Sequence, residues 1–181
     1  IPKSEKFYLF ILNGNYQESL SNKPDNILVS KYSKLSIKQK EEFSKSYSKY
    51  DDSKSDFFSS ANTINHDDCL IIRIESNKAL KENIAIINII DSSQPTYFRK
   101  CIIVEKNSEI SFSEEFINST NNISFSNTVS EIFLDENSKL NYYSVQNMNK
   151  NYHFNSINVL QKSNSTSNFH TYSFTGEIIR N

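Results

Sequence analysis

Two thiols, three imidazoles and a pair of adjacent carboxylates are the groups in this chain that could do chemistry beyond packing. Soft-metal centres need thiolates, with or without imidazole or carboxylate, converging on one point. Cys69 and Cys101 stand far apart with no CxxC pair, and are expected to be structural thiols packed in apolar surroundings. His66 precedes Asp67-Asp68, a string that suggests a metal ligand set but is explained more simply as a solvated loop. His153 and His170 are expected to be surface or packing residues. Glu114-Glu115 suggests general acid–base catalysis, as in β-helix lyases and hydrolases, yet neighbours on a strand point to opposite faces and cannot act on one substrate atom. Gly14 and Gly176 stand alone, so the chain lacks a Gly-rich phosphate loop. The sequence therefore assigns no catalytic, cofactor-binding or metal-binding residue.

The elements that hold these groups follow from a repeat. Ile74-Glu75-Ser76-Asn77-Lys78-Ala79-Leu80 aligns with the segment Val104–Ile110 and again with Leu134–Leu140, a constant offset of 30 residues. The shared pattern is apolar, acid, any, Asn, two of any kind, apolar. Ile72, Ile102 and Ile132 fall in register two residues upstream, giving the period of two that puts side chains on one face of a strand. Asn readily takes the left-handed backbone of a tight corner. Apolar residues then resume at Ile110/Phe112 and Leu140/Tyr142. Strand, Asn corner, strand predicts a solenoid whose coils complete one another's core. A weaker fourth copy, shifted in phase, spans Leu160 to Phe169. The register makes Cys101 equivalent to Ile71 and Glu131, and Cys69 equivalent to Arg99. Glu75, Glu105 and Asp135 are expected to form a solvated acidic ladder. An antiparallel meander with long loops also satisfies the pattern, and a cupin-like barrel would need a His/Glu metal set that is not visible.

Upstream, Phe7–Leu12 before Asn13-Gly14 predicts a strand and tight turn, and Ile27–Val29 a short extended piece. Phe43, Tyr47 and Tyr50 are spaced for a surface helix within Ser36 to Tyr50, which the break Asp51-Asp52-Ser53 ends. Phe57, Phe58, Ala61 and Ile64 predict a short helix packed onto the strands that come after it. The expected division is an N-terminal strand/helix segment over 1–65 and a β-helix core over 66–181, truncated at its C-terminal end.

With 20 Lys+Arg against 21 Asp+Glu in 181 residues, no global field steers nucleic acid or anionic lipid. A hydrophobic share of 36% with 13% aromatics and low net charge favours a packed core over disorder. Two Cys make no disulfide framework, no run reaches membrane-span length and no export signal is visible, so a cytoplasmic setting is expected. A start at Ile1 and a stop just after Ile178–Ile179 are expected of a piece of a longer protein, with exposed edge strands on its last coil.

Residues 55–181 resemble part of the SufB/SufD family of iron–sulfur cluster assembly scaffolds, and SufD more than SufB. The resemblance rests on the order of Asp56-Phe57-Phe58-Ser59-Ser60-Ala61-Asn62, Arg99-Lys100-Cys101-Ile102-Ile103-Val104, Asn127-Thr128-Val129-Ser130-Glu131-Ile132, Leu140-Asn141-Tyr142-Tyr143 and Gly176-Glu177-Ile178-Ile179. It implies a mainly β protein, a right-handed parallel β-helix with a small α/β N-terminal segment. It further implies a non-enzymatic scaffold subunit working with a SufB-like paralogue and a SufC-like ATPase. No cofactor is expected on this chain alone. The nascent iron–sulfur cluster belongs to the assembled complex, with its ligands expected after Asn181. The alternative is an exported β-helix adhesin or carbohydrate-active protein.

Overall fold

Asn77, Asn107 and Asn137 take the left-handed backbone that the repeat requires, with φ of 63°, 57° and 57°. In the computed structural model, which describes residues 6–47 and 56–181 and side chains within the first stretch only up to residue 44, each of these corners turns the chain from one sheet face to another. The first face stacks β4 (Cys69–Ile74), β6 (Thr96–Val104), β8 (Ser124–Leu134) and the second half of β9 (Lys139–Gln161). The second stacks β5 (Ile84–Ile90), β7 (Glu109–Asn118), the first half of β9 and β10 (Thr166–Arg180). All of these pairings are parallel, which excludes the meander and the cupin-like barrel. The protein is a β-solenoid of about four coils.

Ile72, Ile102 and Ile132 lie directly over one another, as do Ile74, Val104 and Leu134. Opposite them, Ile110 pairs with Leu140 and Phe112 with Tyr142. These side chains fill the interior and are 0–1% exposed, each contributing on the order of 2 kcal/mol of transfer free energy. The corners are tied by an amide ladder: Asn107 Nδ2 donates to Asn77 Oδ1 at 3.0 Å, and Asn137 Nδ2 to Asn107 Oδ1 at 3.1 Å. The fourth copy is present. Leu134 pairs with Gln161, an offset of 27, and Asn164 has φ 58°. Its phase shift arises at the opposite corner. There residues 118–123 of one coil give way to residues 148–150 of the next, with Lys150 in the left-handed region at φ 55°.

The N-terminal strands belong to the same sheet. β1 (Phe7–Leu12) runs parallel to β5, and β2 (Asn15–Tyr16) folds back from it through Asn13-Gly14. Gly14, at φ 77°, lies so close to Tyr97 that a Cβ would meet its carbonyl oxygen at 2.5 Å. β3 (Ile27–Lys31) pairs antiparallel with β4.

Two helices lie on the outward side of the first face. α1 (Ile37–Tyr47) opens with a capping box, Ser36 Oγ accepting from Gln39 N while Gln39 Oε1 accepts from Ser36 N. Phe43 packs with Leu35, Ile71 and Cys101, and Arg73 ties the helix down by reaching both Glu42 and Glu105. The Tyr47 side chain, Tyr50 and the break at Asp51-Asp52-Ser53 fall outside the described residues. α2 (Phe57–Asn65) begins at Asp56, whose carboxylate accepts from Ser59 N at 2.8 Å. The packing face expected from its apolar spacing is corrected here. Phe57 and Ile64 face solvent at 78% and 81% exposure, while Phe58 stacks on Phe154 at 3.7 Å and Asn62 is fully buried. Asn62 Nδ2 donates to the carbonyls of Phe98 and Asn127, so one side-chain amide pins the helix to the backbone of two coils. Among the described residues no helix is long and apolar enough to cross a membrane.

Candidate functional site

Strand parity puts Lys100 on the inward face with Ile102 and Val104, and Glu114 inward with Phe112 and Phe116. The two meet across the solenoid interior, Lys100 Nζ to Glu114 Oε1 at 2.6 Å, both side chains at 0% exposure. The Tyr142 hydroxyl donates to Glu114 Oε2 at 2.6 Å and Asn88 Nδ2 to Oε1 at 3.0 Å. The Lys100 ammonium also lies 5.2 Å from the Phe98 ring centroid and 5.8 Å from that of Phe116. Burial pulls the Lys100 pKa below its ordinary value despite the adjacent carboxylate, and pushes the Tyr142 phenol well up, with Glu114 adding to the rise. Lys100 is the ion-pair partner of Glu114 in this interior.

One coil further on, the interior turns polar. Ser126 Oγ lies 2.7 Å from His153 Nδ1 and donates to Asn151 Oδ1 at 2.8 Å, while Asn151 Nδ2 donates to Ser124. The Ser130 and Ser144 hydroxyls and His153 Nε2 are buried with no hydrogen-bond partner among the described residues. Burial, reinforced by Lys100, lowers the His153 pKa to about 3. His153 is therefore an interior packing residue, not a surface one.

The other candidate residues are dispersed. Cys69 and Cys101 point outward under α1 in one apolar cluster with Ile71 and Phe43. The register is as expected, Cys69 opposite Arg99 and Cys101 between Ile71 and Glu131. Burial, with Glu131 adding to it, pushes the Cys69 thiol up to about 12, and burial beside Cys69 raises Cys101 well above the usual thiol range. Both are held as thiols. His66 is not in a solvated loop but caps α2, half-buried, with Nδ1 2.9 Å from the Asn62 carbonyl. Asp67 accepts from Asn15 on β2 and Asp68 from Ser33 in the turn after β3, so the two carboxylates serve as ties to the N-terminal segment. A cavity of about 240 Å³ lined by Tyr32, Phe43, Thr63, His66, Cys69 and Arg99 brings one thiol and one imidazole to the same space. Arg99 there is bound to Glu131 at 2.6 Å and to Thr63 at 2.9 Å. His170 stacks on Tyr143 with centroids 5.2 Å apart. Glu114 is interior and Glu115 is on the outer side, as parity requires. The acidic ladder is corrected in part: Glu105 binds Arg73 and Ser76, and Asp135 binds Lys162 at 2.8 Å, so these are paired carboxylates. Among the described residues no three His, Cys, Asp or Glu side chains are grouped to hold a metal ion.

Sequence reasoning missed the Lys100–Glu114–Tyr142–Asn88 cluster and the Arg99–Glu131 pair. Parity marks Lys100 and Glu114 as charged residues at inward positions, the one signal in the sequence that points to the first. The arrangement defines a class: a β-solenoid whose interior ion pair is sealed from solvent and whose outward face carries a helical layer. Residues 88–181, just over half of the chain, match the family model described as SUF system FeS cluster assembly, SufBD core domain. The chain belongs to the SufBD core family of the SUF system of iron–sulfur cluster assembly. No curated protein matches it.

Proposed function

We propose that this chain is a SufD-type scaffold subunit, not itself an enzyme. In this reading it pairs with a SufB-like paralogue in the cytoplasm and works with a SufC-like ATPase, the nascent cluster being cargo of the assembled complex. The observation that carries the reading is the run of parallel coils, stacked rung on rung over residues that match the SufBD core model. Such a stiff stack offers long edges and faces for pairing with a related solenoid. Cys69 and Cys101, packed in one cluster with Leu35, Phe43 and Ile71, are read as structural thiols.

Co-purification of the full chain with SufB-like and SufC-like partners under reducing, anaerobic conditions tests this directly. The expected result is a stoichiometric complex whose cluster loading survives Cys69→Ala and Cys101→Ala. Absence of any complex, or loss of cluster in a folded Cys69→Ala variant, overturns the proposal.

A further inference from the structure

The parity that sends Ile86 and Glu114 inward sends Ala85, Ile87, Ser113 and Glu115 to the outer side of the second face. The register aligns these outer side chains in rows that run across the coils. Phe10, Ile87, Glu115 and Val145 form one row, and Tyr8, Ala85, Ser113 and Tyr143 the next. Helices α1 and α2 pack on the first face, and this outer side carries neither.

Where the rows bring the small side chains of Ala85 and Ser113 together, the surface sinks into a cavity of about 210 Å³, lined also by Ile87, Glu115 and Val145. Ala85 and Ile87 are each 4% exposed, while Tyr143, next to Val145 on the same side of β9, is 42% exposed. Glu115 is the one charge in the two rows, and it is half-buried. Unlike Glu114 and Glu131, its carboxylate has no hydrogen-bond or ion-pair partner among the described residues. A carboxylate among apolar neighbours gives up hydration, and here no protein donor replaces it.

Size and charge select the occupant. Pockets that take small molecules run to roughly 300–1,000 Å³, so this one has room for a single side chain. Its carboxylate calls for a cation and disfavours the phosphates of nucleic acid or lipid. A second copy of this chain, docked on a twofold axis through the pocket, would set one Glu115 against the other. A guanidinium sheds water more readily than an ammonium, makes a two-pronged bond to a carboxylate and stacks on aromatic rings. We propose that the pocket is the anchor site for an arginine side chain carried on an apolar segment of a protein partner. Glu115 receives the guanidinium, and the flanking rows pack against the segment.

Amide chemical-shift titration of the full chain with a capped pentapeptide, a central arginine between serines with leucine at each end, tests this. The control is the same peptide with citrulline, the neutral isostere. Shifts are expected around Ala85, Ser113 and Val145, with the citrulline peptide binding roughly tenfold more weakly, the loss of a charge-assisted hydrogen bond. Glu115→Gln should weaken the arginine peptide by a similar factor while leaving the urea midpoint unchanged or higher, because the carboxylate holds nothing in the fold. The citrulline comparison uses the unaltered protein and decides the matter should that variant fail to fold. Equal binding of the two peptides, shifts centred elsewhere, no binding by the folded chain, or self-association through this face in sedimentation overturns the proposal.

Discussion

Replacing Lys100 by Met keeps the bulk of the aliphatic stem against Phe98 and Phe116 but deletes the ammonium that neutralises Glu114. The carboxylate is then left at 0% exposure with, among the described residues, the Tyr142 hydroxyl and the Asn88 amide as its donors. Removing one partner of a buried pair costs about 3–5 kcal/mol, because the remaining charge is uncompensated. Against a total stability of roughly 5–15 kcal/mol, that is enough to bring the chain near its folding threshold. Glu114→Gln strands the Lys100 ammonium in the same way and should cost a similar amount. The double variant K100M/E114Q removes both charges while Gln still accepts from Tyr142, so it should lie within about 2 kcal/mol of the wild type or exceed it. The three variants and the parent form a cycle whose coupling term is then several kcal/mol. Urea unfolding followed by far-ultraviolet circular dichroism, with equal m values across the set, measures each term. Single-variant costs below about 1 kcal/mol, or costs that simply add in the double variant, would refute the reasoning. Either outcome would mean that the two groups are not a charged pair in the folded protein.

The Asn corners make a second test. Asn107→Ala must hold a left-handed backbone at a cost of roughly 1–2 kcal/mol and also breaks the ladder on both sides. Asn107→Gly loses only the ladder and should be the milder change in thermal unfolding. Asn62→Ala strands the Phe98 and Asn127 carbonyls and should destabilise by about 2–4 kcal/mol, whereas Phe57→Ser and Ile64→Ser should stay within about 0.5 kcal/mol. Equal effects at positions 57 and 62 would contradict the assigned packing face of α2. With its pKa raised from 9.0 to about 12, Cys69 carries about a thousandfold less thiolate at pH 8 than an ordinary thiol. Iodoacetamide at pH 8 should therefore label native Cys69 far more slowly than an ordinary thiol and the fully buried Cys101 only on unfolding, and native labelling of Cys69 at the rate of a free thiol would refute this.

The coils were legible because their signals are local. Ile72/Ile74 and their equivalents alternate with a period of two, and Asn at a fixed place marks a backbone conformation few other residues adopt. The fourth copy stayed out of phase, and the role of His153 with it, because three residues are shed at the far corner, where no residue type announces the change. Helical spacing predicted α2 but not which side of it packs. Phe57 and Ile64 share the period with Phe58, and the burial of Asn62 depends on carbonyls contributed by two different coils. The Lys100–Glu114 pair shows the same limit. Parity sends both inward, yet their meeting requires two opposed faces at the separation that a closed coil sets.

The two kinds of corner have opposite engineering properties. The Asn corners are locked in length, since an added residue would break the amide ladder and throw every later rung out of register. The corner at residues 118–123 already changes length by three between successive coils without disturbing the strands on either side. It is the natural port for grafted sequence: an epitope, a fluorophore site or a crosslinking residue placed between Thr120 and Asn121 would report on assembly from the rim while leaving both stacked faces free.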